Sequence, residues 1–133
     1  MKIVHAYPPN IDEIRAVFEL NDRVIFTYGQ TLYVPSGATI DEPLMRHEET
    51  HAKQQGDDPA GWWSKYLTDA NFRVGQELQA YRRQYKAYKR MVGSPMLRRQ
   101  YLTELALVLS GKIYGEAIST RTAYKKIRQT SLA

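Results

Sequence analysis

The chain of 133 residues contains no cysteine. That excludes disulfides, thiolate zinc sites, all-cysteine iron–sulfur clusters and cysteine nucleophiles. Histidine is scarce, with three residues, so a zinc site here has to combine His with carboxylates. Long apolar runs are missing as well. The longest strictly aliphatic stretch is Leu105–Leu109, far short of the ~20 residues that span a bilayer. Met1 to Asn10 carries one Lys and two Pro and has no apolar core of the signal-peptide kind. The expectation is a cytoplasmic protein with no membrane span.

Acidic residues are nearly absent from the C-terminal part. Residues 81–133 hold 12 Lys/Arg and 2 Asp/Glu, whereas residues 1–80 hold 7 and 12. The net charge of +5 is therefore −5 followed by +10. A basic half of this kind suits nucleic acid or an acidic protein partner, or simply exposes Lys and Arg to water. A hydrophobic share of 43% and a charged share of 25% are ordinary for a folded chain. The length suits one domain over 1–133.

Apolar spacing and capping residues divide the chain. Lys2–Ala6 reads as a short strand, and Ile11, Ile14, Val17 and Phe18 predict a helix over about 11–19 behind Asn10. Arg23–Tyr28 and Thr31–Val34 are rich in β-branched and aromatic residues around Gly29-Gln30, a hairpin signal. Asp41 can cap a helix that tolerates Pro43 in its first turn and stops at Gly56. Asp58-Pro59 starts a short helix with Trp62, Trp63, Tyr66 and Leu67. Thr68 or Asp69 caps a longer one to about Val92. Ser94-Pro95 opens another, with Leu97, Tyr101, Leu105 and Leu109 on one stripe and an end at Gly111. Ser119 caps a last one bearing Ala123, Tyr124 and Ile127. The fold class is α+β, a small N-terminal antiparallel β layer followed by helices.

Residues 47–51 read His47-Glu48-Glu49-Thr50-His51, an HExxH that uses two of the three histidines. On a helix, side chains four apart share a face, so both imidazoles can converge on one Zn²⁺ at about 2.0–2.1 Å. Glu48 is rotated by about 100°. It stands clear of the ligand positions and can act as general base. The competing reading is two exposed histidines, but both share a face with Leu44, where a metal would satisfy them.

A catalytic zinc takes three protein ligands. Glu77 is the main candidate for the third: it lies in line with Tyr81, Tyr85, Tyr88 and Val92, the apolar face of an otherwise basic helix. Asp57 is an alternative, with Asp58 and Asp69 weaker. A structural ion pair of Glu77 with Arg73 or Arg46 is another.

His47-Glu48-x-x-His51, followed by Glu77-x-x-Ala80-Tyr81 on a downstream helix, resembles the gluzincin metallopeptidases in a minimal form. It is also similar to small zincin-like peptidases of phages and bacteria. The likeness covers about residues 22–92. It implies a zincin-like domain with an HExxH active-site helix, zinc on His47, His51 and Glu77, and Glu48 as base. Thermolysin-like members carry Asp four residues after the ligand Glu, where this chain has Tyr81.

The expected activity is zinc-dependent hydrolysis of peptide bonds in a peptide or protein substrate. Tyr81 is the sequence candidate for an oxyanion donor, against a core tyrosine. His5 is a further one, against a surface histidine. An extended substrate would pair with the edge of Arg23–Tyr28 or Thr31–Val34. Trp62 and Trp63 either line a subsite or pack helices. The alternative function is a non-catalytic, zinc-stabilised binding module whose basic region 81–133 contacts nucleic acid or an acidic partner.

Overall fold

Five short polar side chains start the five longer helices. In the computed structural model, which describes residues 1–129, Asp41 accepts the backbone N–H of Leu44 (3.0 Å) and opens α2 (Glu42–Gln55). Asp58 does the same for α3 (Pro59–Thr68), Asp69 for α4 (Ala70–Met91), Ser94 for α5 (Pro95–Leu109) and Ser119 for α6 (Thr120–Arg128). Each bond satisfies an N–H that has no partner within its own helix. The remaining elements are β1 (Lys2–Val4), α1 (Ile11–Arg15), β2 (Phe26–Tyr28), β3 (Thr31–Tyr33) and a 3-10 turn (Lys112–Tyr114). The last four positions of the expected 1–133 domain, and of the basic region 81–133, lie outside the described residues.

The sheet is mixed, which corrects the antiparallel expectation. β2 and β3 form the hairpin, with Phe26 opposite Tyr33 and Tyr28 opposite Thr31. Gly29 supplies the positive φ (+62°) that the first position of a two-residue II′ turn requires. β1 lies on the far side of β3 and runs parallel to it, with Lys2 opposite Thr31. Two reversals, one through α1 and one at Gly29-Gln30, bring β3 back to the direction of β1. The fold remains α+β.

α1 stops at Arg15 rather than near residue 19. Beyond it Val17 is exposed, while Phe18 folds inward against Tyr66 and beneath the Arg73 guanidinium. In α5 the buried stripe is Leu102, Leu105, Ala106 and Leu109. Leu97, expected on it, is exposed in the first turn.

Two apolar cores result. One joins Ile14, Phe26, Trp62, Trp63 and Tyr66 beneath the sheet. The other packs α4 against α5 and α6 through Leu78, Tyr81, Tyr85, Leu102, Leu109 and Ile127. α2 lies along α4 and touches β2, and Tyr114 packs against both cores. Among the described residues no helix is long and apolar enough to cross a membrane.

Candidate metal centre and its cleft

α2 and α4 present their chemistry to each other. His47 and His51 stand one turn apart on α2, and Glu77 faces them from α4. All three are buried, and Glu48 is buried beside them. His47 Nε2, His51 Nε2 and Glu77 Oε1 form a triangle with 3.1 Å on every side. Three lone-pair-bearing atoms at that separation, away from water, repel unless a positive centre lies among them. Tetrahedral coordination at about 2.0–2.1 Å sets donor atoms about 3.3–3.4 Å apart, close to the separation found. His47, His51 and Glu77 could thus hold a metal ion.

Outer contacts orient all three donors. His47 Nδ1 lies 2.9 Å from Gln84 Oε1, and His51 Nδ1 lies 2.8 Å from Gln54 Oε1. The Gln54 amide is fixed from its other end by a backbone carbonyl, and the Gln84 amide is turned the same way, its N–H toward a tyrosine hydroxyl. Gln84 Nε2 donates to Tyr101 Oη, and Gln54 Nε2 donates to the Gln76 carbonyl and to Gln79 Oε1. His51 therefore carries a proton on Nδ1, His47 does so with the Gln84 amide in this orientation, and both turn Nε2 toward the triangle, the tautomer a metal needs. The Tyr66 hydroxyl donates to Glu77 Oε2 (2.6 Å), which leaves Oε1 as the free oxygen.

Burial opposes charge on His51, but the Glu77 carboxylate beside it outweighs burial and pushes its pKa up to about 9. Glu77 mirrors this: burial alone would raise it, and the two imidazoles hold it well below the usual carboxylate range. Without a metal, the proton on His51 is the positive centre of the triangle.

Glu48 is held from β2. The Thr27 hydroxyl donates to its Oε1 at 2.9 Å, and its Oε2 lies 3.7 Å from His47 Nε2. Glu48 and the triangle open on a cleft of about 80 Å³, ample for a water molecule, which needs at least about 10–15 Å³. Its walls are mainly apolar, with Phe18, Val24, Ile25, Trp62 and Ile113 among them.

Of the remaining sequence candidates, some lie at the site and others do not. Asp57 is exposed, while Asp58 and Asp69 are spent as helix caps. Arg46 pairs with Glu42 and Glu49, and Arg73 donates to the carbonyls of Tyr66, Leu67 and Tyr114, so neither is the ion partner of Glu77. His5 is exposed and outside the cleft wall. Trp62 and Trp63 both line the cleft and pack the core. The Tyr81 ring stands edge-on to His47 at 4.4 Å, and its hydroxyl lies 2.9 Å from that of Tyr114. Tyr114, rather than Tyr81, lines the cleft. Burial, then the nearby Glu77 charge, raises both phenols well above their ordinary pKa, so both keep their protons.

The expected strand edge is occupied at one point. β3 is the central strand, and the Thr27 carbonyl on the outer edge of β2 already accepts from Gln55 Nε2 and Trp63 Nε1.

Sequence reasoning missed Thr27, Tyr66, Gln84 and Tyr114, and the orienting role of Gln54. Gln84 had a signal, since it lies seven residues after Glu77 and so on the same face of α4. Tyr114 had none, because it arrives from a distant turn. No family model, curated protein or solved structure matches this chain, and the candidate site rests on the geometry of these residues.

Proposed function

We propose that this chain is a zinc-dependent metallopeptidase that hydrolyses peptide bonds, built on a minimal gluzincin-like site. The observation that carries the reading is the 3.1 Å triangle of His47, His51 and Glu77 with Glu48 next to it on the same cleft. Two imidazole nitrogens and one carboxylate oxygen are a donor set that suits zinc and leaves a coordination position open. Zinc held there would polarise the scissile carbonyl and make a water acidic.

Every other part falls to the chain's own side chains. Glu48, steadied by the Thr27 hydroxyl, accepts the proton of the attacking water and delivers it to the departing amine. The Tyr114 phenol, protonated and on the cleft wall, donates to the oxygen that gains charge, and Tyr81 backs it through their hydroxyl pair. The Gln54 and Gln84 amides keep the imidazoles aimed.

Hydrolysis of a quenched-fluorescent peptide library by zinc-loaded protein tests the reading. E48Q should lower the rate about 10²–10⁴-fold while retaining zinc. Hydrolysis that persists unchanged in E48Q, or no hydrolysis by the zinc-loaded wild type, would contradict it. The second outcome leaves the zinc-stabilised binding module.

A further inference from the structure

The outer face of α4 carries a row that the candidate site does not use. Arg83, Lys86 and Arg90 are exposed and spaced three and four residues apart, so they share one face. They lie about 200° around the helix from Glu77, Tyr81 and Gln84. With Arg46 they line a groove of about 180 Å³ between α2 and α4. Among the described residues, Arg46 alone of the four is ion-paired.

The three charges of the row repel one another and have no ion-pair partner among the described residues. Like charges three and four apart destabilise a helix. The C-terminal dipole of α4 favours Arg90 in the last turn, but it falls off before Arg83 and Lys86.

We infer that this row is a docking surface for the phosphate backbone of duplex nucleic acid, outside the cleft on which the candidate metal centre opens. From Arg83 to Arg90 is about 10 Å along the helix, a length in which one strand of a duplex presents about three phosphates. The face has no exposed apolar side chain between Gln79 and Arg90 of the kind that anchors protein interfaces. It also lacks exposed aromatic rings for stacking unpaired bases. Tyr81 and Tyr85 are buried, and Tyr88 is stacked on Tyr101 at 3.7 Å. Cations without aromatics read backbone charge and not sequence. A duplex held there leaves the cleft free, so the surface would place the protein near substrates that are themselves bound to nucleic acid.

Fluorescence anisotropy of a labelled random-sequence DNA duplex, measured over a salt series with the full chain, tests this. The wild type should bind at low salt, with log K falling against log salt at a slope of about −3 or steeper, at ~0.9 per phosphate. R83Q/K86Q/R90Q should bind at least tenfold more weakly and flatten the slope by about 2.7, with unchanged circular dichroism and zinc content. K2Q, which removes a charge from β1, should leave the slope unchanged. E48Q should bind as the wild type does, so failure of the peptidase reading leaves this result intact. No duplex binding at low salt, equal binding by the triple variant, tighter binding of single strands, or displacement by polyglutamate at equal charge would each overturn the proposal.

Discussion

His51 has two incompatible duties. In the metal-free protein it carries a proton opposite Glu77, and its pKa rises to about 9. As a ligand it must be neutral. The raised pKa gives the metal-free protein stability that is fully present below the ordinary histidine value of about 6.5 and lost as pH rises through about 9. Metal binding has the opposite dependence. At pH 7 it should release close to one proton, and affinity should rise about tenfold per pH unit toward pH 9. Calorimetry in buffers of different ionisation enthalpy measures this directly; zero proton release at pH 7 would contradict it. Q84L should weaken metal binding about 10–100-fold, because His47 then loses the partner that fixes its tautomer; competition with a chromophoric chelator reads that change. At this scale the three residues that could hold a metal were legible, because HExxH and a carboxylate on an apolar face are patterns in sequence. Thr27 and Tyr66 were not, because each reaches the site from another element.

The helices were the most legible elements. Asp41, Asp58, Asp69, Ser94 and Ser119 cap where spacing and side-chain chemistry place them. What escaped depends on neighbours distant in sequence: the parallel pairing of β1, the early end of α1 and the occupied edge of β2. The 3-10 turn belongs with these. It holds Tyr114 on the cleft partly because the buried Arg73 guanidinium donates to the Tyr114 carbonyl as well as to α3. R73M should cost about 2–3 kcal/mol, the worth of the one short charged hydrogen bond, to the Tyr66 carbonyl at 2.9 Å, since the bonds to Leu67 and Tyr114 are long at 3.3 and 3.4 Å. Urea unfolding checks the loss. Y114F should lower kcat about 10²–10³-fold, the effect of removing one oxyanion donor, and leave zinc content unchanged. Y81F should cost less, since Tyr81 meets the Tyr114 hydroxyl and does not line the cleft. Equal kcat in Y114F and wild type would remove Tyr114 from the site.

On the scale of the whole molecule, the triangle sits between two apolar cores and joins the sheet side to the helical side. A metal there crosslinks α2 to α4, so ligand binding should appear as global stability. At a metal concentration 1,000 times Kd the gain is about 4 kcal/mol, a rise in Tm on the order of 10 °C for a domain of this size. Chelation should reverse it. The charge division visible in the sequence, acidic over residues 1–80 and basic after, crosses α4, which carries Glu77 on one face and Arg83, Lys86 and Arg90 on another. The first face contributes Glu77 to the candidate metal centre, and the second carries a basic row with no ion pair among the described residues. The most direct measurement of the central claim is the zinc content of purified protein by mass spectrometry, with E77Q and E48Q beside the wild type. One zinc per chain in the wild type and in E48Q, with most of it lost in E77Q, is the predicted result. A wild type without zinc, or E77Q holding as much as the wild type, would contradict the account.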